Sequence, residues 1–217
     1  INYWCAFPTR DIRIEGYALT RDQAHFWNTL SLNGLAEFFY DMNMDFDDLI
    51  AFPFDENLSA PVAESFPRPA RSLLLNGAGK DSVLSAEMLK AAGTPFDFFA
   101  FAPTPAHERI ATLLQTKTIR VRRERDPWLK AAMSLFGVSS AYPSVSTFTF
   151  IAVLLAELIG YDTIIFSNER SADVGNFVYR GLPVNHQWCK SSEAEQLIND
   201  YIQRYITSDI STKSLLR

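Results

Sequence analysis

Cysteine, histidine and long apolar runs are scarce in this sequence, and each scarcity excludes a class of protein. Its two cysteines, Cys5 and Cys189, form neither a disulfide framework nor a CxxC metal motif, which makes a reducing cytosol the expected compartment. The longest apolar stretch, residues 148–159, contains Glu157 and is too short to span a bilayer. We predict that it is a buried helix and that the chain has no membrane segment. Three scattered histidines do not make a zinc site.

An excess of basic charge is also missing. The formal net charge is −5, which argues against a general nucleic-acid binder, because affinity for a phosphate backbone needs clustered Lys and Arg. The local exception is the run of Arg120, Arg122, Arg123 and Arg125. This run is either a solvated strand edge or a docking surface for an anionic, nucleotide-linked substrate. We therefore expect a small-molecule partner rather than nucleic acid or membrane.

What is present is the composition of a globular protein. Hydrophobic residues make up 47% of the 217 residues and charged residues 21%, which suits one α/β domain with an appendage or two small domains. The chain begins with Ile1 rather than methionine and shows no signal-peptide pattern. We therefore expect part of a longer protein, whose catalytic groups can lie outside this chain.

Residues 1–70 predict an α+β appendage and a linker. Thr20 followed by Gln23 has the pattern of a capping box, which marks the start of a helix. A segment rich in Pro, Asp, Glu and Ser then separates this part from the next. The expected elements are strands at Tyr3–Phe7 and Ile12–Leu19, a helix over residues 21–40 and a linker over residues 53–69.

Residues 71–217 show short apolar runs that alternate with amphipathic segments. This pattern is typical of βαβ units and predicts an α/β fold, an open parallel sheet flanked by helices. The expected strands are Ser72–Leu75, Phe96–Phe101, Thr118–Val121 and Asp162–Phe166. The expected helices are Ser82–Ala92, Pro105–Gln115, Ser144–Ile159 and Ser191–Tyr205, with a polar loop over residues 167–190.

A glycine-rich turn at residues 76–82 lies between the first of these strands and the helix after it. Gly77 and Gly79 allow backbone N–H groups to approach phosphate oxygens, and the helix N-terminus adds its dipole. Asn76, Lys80 and Ser82 offer further donors, whereas Asp81 would act through Mg²⁺ or orient the loop. The alternative is an ordinary glycine turn before a helix. The spacing fits neither the Walker A motif nor the Rossmann glycine motif.

Residues Gly77-Ala-Gly-Lys-Asp-Ser82 resemble the Ser-Gly-Gly-x-Asp-Ser signature of the PP-loop family of ATP pyrophosphatases, of the adenine-nucleotide alpha-hydrolase (HUP) type. Two positions differ, since Gly77 stands in place of the first Ser and Ala78 in place of the middle Gly. The resemblance implies that ATP is bound with Mg²⁺ and cleaved between its α and β phosphates. It also implies that the end of the second strand, with Phe101, holds the adenine.

A second set of polar residues lies in the loop 167–190. Loops at the carboxyl ends of parallel strands line the ligand crevice. We therefore expect this loop to face the glycine-rich turn at residues 76–82, which we call the phosphate turn. Glu169 and Asp173 are candidate Mg²⁺ ligands, with Asp81 and Asp173 as the preferred pair, and Glu169 is also a possible second base. Arg170 can clamp a carboxylate or phosphate. The remaining candidates for substrate binding are Asn168, Asn176 and Asn185.

His186 is the candidate for proton transfer, because histidine is the residue type whose side chain ordinarily titrates near neutral pH, and Lys190 is the second candidate. The alternative for His186 is a structural hydrogen bond. We expect His25 and His107, both on predicted helices, to be packing or surface residues.

The wider pattern is similar to the MurL family, ATP-dependent epimerases of bacterial cell-wall synthesis. The segments that carry the resemblance are residues 34–40, 49–53, 167–172, 175–176, 184–187 and 190–191. It implies adenylation of the terminal L-glutamate of UDP-MurNAc-L-Ala-L-Glu, with release of AMP and pyrophosphate, and inversion of its α carbon. The alternatives are a QueC-like enzyme that adenylates a carboxylate for amidation or nitrile formation, although its usual cysteine cluster is lacking, and a non-catalytic nucleotide-binding module.

Overall fold

A computed structural model of the chain describes residues 2–135 and 143–217. The α-helices are α1 (Asn2–Ala6), α2 (Arg21–Gly34), α3 (Ala36–Asp41), α4 (Lys80–Ala91), α5 (Pro105–Leu113), α6 (Pro127–Leu135), α7 (Ser144–Ile159) and α8 (Ser192–Tyr205). The strands are β1 (Ser72–Leu75), β2 (Phe96–Phe101), β3 (Thr118–Val121), β4 (Thr163–Glu169), β5 (Phe177–Tyr179), β6 (Leu182–Val184) and β7 (Ser211–Leu216). Two 3₁₀ turns cover Arg170–Asp173 and Trp188–Lys190.

The main sheet is parallel, in the order β3-β2-β1-β4-β7, and helices flank it. The predicted α/β class is confirmed, and β1, β2 and β3 have the predicted bounds. The strand order reverses at β1, from which the chain first runs outwards to β3 and then returns to β4 on the other side. The sequence prediction missed β7, α6 and the β5–β6 hairpin.

The central strands are buried because they are short, almost continuous apolar runs covered on both faces. Leu73 on β1, Phe99 on β2 and Ile164 on β4 are fully buried in one cluster. Ala152 and Ala156 bring α7 close against them. Truncation of one such large side chain to alanine typically costs about 2–5 kcal/mol, because it leaves a cavity as well as losing apolar contact.

Two backbone N–H groups of the edge strand β7 are occupied by side chains of α8. The Thr212 N–H donates to Asn199 Oδ1 at 2.9 Å, and the Ser214 N–H donates to Glu195 Oε1 at 3.1 Å. Glu195 and Asn199 are four residues apart and therefore share one face of α8. These contacts bind α8 to the edge of the sheet.

The helix predicted over residues 21–40 is two helices. Its start is confirmed, since the Thr20 and Gln23 side chains form the capping box. The helix breaks at Leu35, where the backbone leaves helical geometry between α2 and α3. Gly34 ends α2 at a close approach, because a Cβ there would lie 3.0 Å from Cβ of Pro143 and 3.4 Å from Sγ of Cys189.

Both strands predicted before residue 20 are wrong. Tyr3–Phe7 overlaps the short helix α1, whose Trp4 packs edge-on against Phe38 and Phe39. Residues 12–19 form no strand, since no segment within residues 2–135 and 143–217 pairs with them. Tertiary context outweighed the local aromatic and β-branched content at both places.

Helices α2 and α3 pack in two different hydrophobic clusters. Phe26 and Leu30 of α2 belong to the same cluster as Leu73 and Phe99, and Phe38 of α3 shares a second cluster with residues of β6. The predicted linker, residues 53–69, has no helix or ladder and forms a single bridge from Glu64 to Thr207. The division into an appendage, 1–70, and a nucleotide-binding domain, 71–217, stays a prediction.

The segment predicted as a polar loop, residues 167–190, contains strands and 3₁₀ turns. Strand β4 extends through Glu169, the hairpin β5–β6 turns at Arg180 and Gly181, and both 3₁₀ turns fall within the segment. Of the predicted helices, α7 has the expected bounds, whereas α4 begins two residues early, at Lys80. No helix in the described parts of the chain is long and apolar enough to cross a membrane.

Candidate functional site

The phosphate turn and the segment after β4 meet where the strand order reverses. Strand β1 leads into Asn76, and its neighbour β4 ends at Glu169. In an open parallel sheet this point leaves a crevice at the carboxyl ends of the strands, since the two following segments diverge to opposite faces. The expected meeting of the two motifs is therefore produced by topology, for residues 169–171.

Asn76 and Ser82 hold the phosphate turn in shape. Asn76 is buried; its side-chain amide donates to the carbonyl of His107, and its Oδ1 accepts from the Ala78 N–H at 2.9 Å. The Gly77 N–H donates to Oγ of buried Ser82 at 2.8 Å. Both side chains therefore shape the loop in this structure, rather than point free donors outwards.

The turn ends in open space at the start of a helix. Gly79 is the N-cap of α4 and offers no side-chain acceptor to the first helical turn, whose N–H groups have no partner within the helix. A Cβ at Gly79 would meet no atom within 4 Å. These donors and the helix dipole thus face room for an anion.

Ala78 has a φ of +58°, the left-handed region that favours glycine. This is the position where the PP-loop signature has its middle Gly. Ala78 therefore adopts a backbone conformation that is ordinarily left to glycine, at a cost on the order of 1 kcal/mol.

Lys80 joins the two motifs electrostatically. Its ammonium donates to Oδ1 of Asp81 at 2.6 Å and to Oε1 of Glu169 at 2.8 Å. The hydrogen bond to Asp81, followed by that to Glu169, raises the pKa of Lys80. The hydrogen bond from Lys80 in turn lowers the pKa of Glu169. All three groups are exposed enough to rearrange around a ligand, with 82% of the Lys80 side chain accessible.

An open crevice of about 550 Å³ surrounds this trio. Arg170 and Leu84 line it, together with Ser171 and Leu216. The Arg170 guanidinium forms no hydrogen bond or ion pair with the described residues and is exposed. It is thus available to bind an anionic group at this site.

The donor set suits Mg²⁺ at Asp81 and Glu169, because hard cations prefer carboxylate oxygens and these two already share one cation, the Lys80 ammonium. The predicted partner of Asp81, Asp173, is not brought to this crevice. Oδ1 of Asp173 accepts from the N–H and hydroxyl of Ser192 and from Arg217. These bonds, the Ser192 N–H first, lower the pKa of Asp173, whose role in this structure is to hold the start of α8.

His186 and Lys190 line a different cavity, of about 390 Å³. Its other walls come from α2, α3 and the start of α7, with Gly34, Glu37 and Ser144 among them. Nδ1 of His186 lies 2.5 Å from Oε2 of Glu37. The structure thus divides the predicted catalytic residues between two cavities, with Glu169 in the crevice at the phosphate turn and His186 beside α3.

The backbone around His186 is fixed by two predicted substrate-binding residues. Asn176 Oδ1 accepts from the His186 N–H at 2.9 Å. The Asn185 side chain donates to the carbonyl of Ala172 and accepts from the Gln187 N–H, both at 2.8 Å. Their side-chain oxygens therefore position the loop.

Phe101 lies at the carboxyl end of β2, as predicted, but its ring is already in contact with two residues. The ring of Phe148 packs against it with 4.7 Å between the ring centroids, and the Arg123 guanidinium lies 5.7 Å from the Phe101 centroid.

Asn168 lines a small space between α7 and α8. Of the basic run, Arg120 pairs with Glu108. As expected, His25 and His107 lie on helices α2 and α5.

Neither Glu37 nor Leu216 is predicted as a site residue from the sequence. Glu37 lies on a helix 149 positions away from His186, and no local pattern connects the two. Leu216 belongs to a strand that was not predicted. The sequence feature that could have identified Glu37 is its place within residues 34–40, one of the segments similar to the MurL family.

Comparison with known proteins agrees with that similarity. A family model described as the MurL N-terminal domain matches residues 1–215. A UDP-N-acetyl-alpha-D-muramoyl-L-alanyl-L-glutamate epimerase of Xanthomonas oryzae pv. oryzae is 30% identical over 217 residues, 100% of this chain and 48% of that protein. Proteins of the same name from Salinispora tropica and a Micromonospora species are 31% and 33% identical over 68% and 73% of this chain. The chain spans 32% and 36% of their lengths, so it corresponds to half or less of each relative.

Proposed function

Because the chain belongs to the MurL N-terminal domain family, we propose that it is the nucleotide-binding part of an ATP-dependent epimerase. Its substrate would be UDP-MurNAc-L-Ala-L-Glu, and its product the same compound with D-glutamate at the end. The names of the three relatives support this substrate. The observation that carries the ATP dependence is the meeting of Lys80, Asp81 and Glu169 at the point where the strand order reverses.

The chemistry explains why such an epimerase would use ATP. A free carboxylate makes its own α proton hard to remove, because deprotonation would put a second negative charge beside the first. In the proposed reaction, a carboxylate oxygen of the terminal glutamate attacks the α phosphorus of ATP. An O–P bond forms, the bond to the β phosphate breaks, and pyrophosphate leaves. The resulting acyl-adenylate carries no carboxylate charge, so a modest base can take the α proton.

Inversion and release then complete the balance. A proton returns to the opposite face of the α carbon, and water cleaves the acyl-adenylate to AMP and a carboxylate. His186 is the proposed base for proton removal, with Lys190 or Glu169 as the second group. Of these, Glu169 lies in the crevice at the phosphate turn and His186 in the cavity beside α3. The terminal glutamate of the substrate would therefore have to lie within reach of both the crevice and the cavity.

The residues of the phosphate turn would bind the nucleotide. The first-turn N–H groups of α4 and the Lys80 ammonium would contact phosphate oxygens, while Asn76, Gly77 and Ser82 keep the loop in shape. Asp81 and Glu169 would hold Mg²⁺, which would neutralise phosphate charge when bound. Arg170, unpaired in the described structure, would bind a carboxylate or phosphate of the substrate.

The test is the release of AMP from ATP and the substrate, together with ATP binding by calorimetry. Lys80→Ala and Asp81→Ala should abolish detectable AMP release, because each removes a charge from the proposed phosphate and metal site. Lys130→Ala, which removes an exposed lysine of α6, is the matched control and should behave like the wild type. Unchanged AMP release in Lys80→Ala, with the fold intact, would remove the nucleotide from this loop.

A further inference from the structure

Glu37 and His186 form a pair that no local motif indicates. Glu37 lies in the first turn of α3, and Oε2 of its carboxylate is 2.5 Å from Nδ1 of His186. We propose that Glu37 is a positioning residue, which holds His186 so that its Nε2 is free to act as the base for the α proton. This inference rests on the proposed epimerase function and adds the N-terminal helix α3 to its active site.

The direction of the hydrogen bond determines which nitrogen of His186 is free. If the Glu37 carboxylate accepts this hydrogen bond, the proton between the two groups is on Nδ1 of His186. When the ring is neutral, its other nitrogen, Nε2, then has a free lone pair. The carboxylate also stabilises the imidazolium that forms when Nε2 takes a proton. The same arrangement of carboxylate, imidazole and free nitrogen serves general bases in hydrolases.

Both partners are held on ordered parts of the fold. The N–H of His186 donates a hydrogen bond to the Asn176 side chain. The side chain of Asn185, the preceding residue, donates to the Ala172 carbonyl and accepts from the N–H of Gln187, the following residue. On the other side, the neighbours of Glu37 in α3 are the fully buried Ala36 and Phe38. The short contact therefore joins two fixed backbones.

The pair also faces a space in which a substrate group can bind. Both residues line the cavity of about 390 Å³, and 63% of the His186 side chain is accessible compared with 30% for Glu37. The other charged side chains that line this cavity are Asp41 and Lys190. A volume of this size suits a small-molecule group rather than a single water.

A single solvent-accessible pair of this kind contributes little to stability, so a stability measurement alone would not reveal its role. The test is instead the position of the proton on His186. With three histidines in the chain, ¹⁵N-labelled histidine gives a spectrum that can be assigned residue by residue. In the wild type, His186 should be the Nδ1–H form.

Glu37→Ala should shift His186 towards the Nε2–H form. Glu37→Gln keeps an acceptor oxygen without the charge and should retain the Nδ1–H form. Glu56→Ala removes an exposed carboxylate that pairs with Arg21 and should leave the His186 spectrum unchanged. An Nε2–H ring in the wild type, or an unchanged ring form in Glu37→Ala, would overturn the proposal.

The second arm measures the reaction, using ATP and UDP-MurNAc-L-Ala-L-Glu in deuterated water. Glu37→Ala should still release AMP but incorporate deuterium at the α carbon about 10²–10⁴ times more slowly, as expected when a base loses its orienting partner. Glu37→Gln should recover part of that rate. Normal exchange in Glu37→Ala beside normal AMP release would overturn this inference alone. Absence of AMP release from the wild type would overturn the proposed function and this inference with it.

Discussion

Removal of the Tyr161 hydroxyl, which lies at the end of the sheet where the strands begin, should lower the free energy of unfolding without affecting the proposed nucleotide site. Tyr161, fully buried just before β4, donates its hydroxyl to Oδ2 of Asp97 at 2.5 Å. Arg71, just before β1, donates to the same oxygen and places its guanidinium 4.7 Å from the centroid of the Tyr161 ring. The three side chains join the beginnings of the central strands, at the end opposite the phosphate turn. The perturbation is Tyr161→Phe.

The expected magnitude follows from the burial of the acceptor. Asp97 is 6% exposed, and a hydrogen bond to a charged group contributes about 1.5–3 kcal/mol. Tyr161→Phe should therefore lower the free energy of unfolding by about 2 kcal/mol. For a chain of this size each kcal/mol corresponds to roughly 2–4 °C, so Tm should fall by about 4–8 °C.

The stability that the Tyr161 hydroxyl contributes should fall as the pH rises. Burial, and then the hydrogen bond to Asp97, raise the pKa of the Tyr161 hydroxyl. A raised pKa means that the folded state holds its proton more tightly than the unfolded state. The contribution is therefore complete below the ordinary tyrosine pKa of about 10 and is lost as the pH rises above it.

The assay is urea unfolding at neutral pH, followed by fluorescence, with ATP binding measured in parallel. Tyr17→Phe is the matched control, because Tyr17 is 67% exposed and its hydroxyl should contribute within about 0.5 kcal/mol. If the midpoints of Tyr161→Phe and the wild type coincide, the Asp97 cluster does not stabilise the fold as argued. A loss of ATP affinity in the folded variant would contradict the separation of the two ends of the sheet.

Three further predictions concern single side chains. Arg170→Ala should weaken substrate binding by about 2–5 kcal/mol if the guanidinium pairs with a buried anionic group; calorimetry showing that ATP affinity falls instead would reassign Arg170 to the nucleotide. His186→Gln should retain adenylation, followed as AMP release, but lose deuterium incorporation at the α carbon, and normal incorporation would make His186 structural. Burial raises the pKa of both Cys5 and Cys189 to about 11, so their thiols are protonated at pH 8. Iodoacetamide should therefore alkylate them about a hundredfold more slowly than a free thiol, and rapid labelling in the folded protein would contradict the raised pKa of these thiols.

Strands and helices with a strong local pattern were predictable. The runs at β1 and β2 are apolar and bounded by turn residues, and Thr20 with Gln23 marked the start of α2. Strand β7 was missed because its first four residues, Ser-Thr-Lys-Ser, lack apolar alternation, and its place depends on β4 and α8. The aromatic segment at residues 3–7 suggested a strand, although the contacts of Trp4 are those of a packed helix.

The phosphate turn was predictable because its glycines, Lys80 and Asp81 are consecutive and follow a clear strand. The approach of Glu169 to Lys80 followed from strand topology alone. The division into two cavities could not be predicted from the sequence, because the walls of each cavity come from segments that are far apart along the chain. Nor could the sequence pair Glu37 with His186, since that contact arises only after α3 packs against the β5–β6 hairpin.

The bonds from α8 to the outer edge of β7 have a consequence for how copies of this chain meet. An exposed edge strand is a template for pairing with another polypeptide, which can lead to aggregation. Here an incoming strand would find the Thr212 and Ser214 N–H groups already bonded to Asn199 and Glu195. To extend the sheet, it would first have to displace α8, which is packed into the main core. The helix therefore protects this edge against intermolecular β-sheet growth for as long as the fold stays intact.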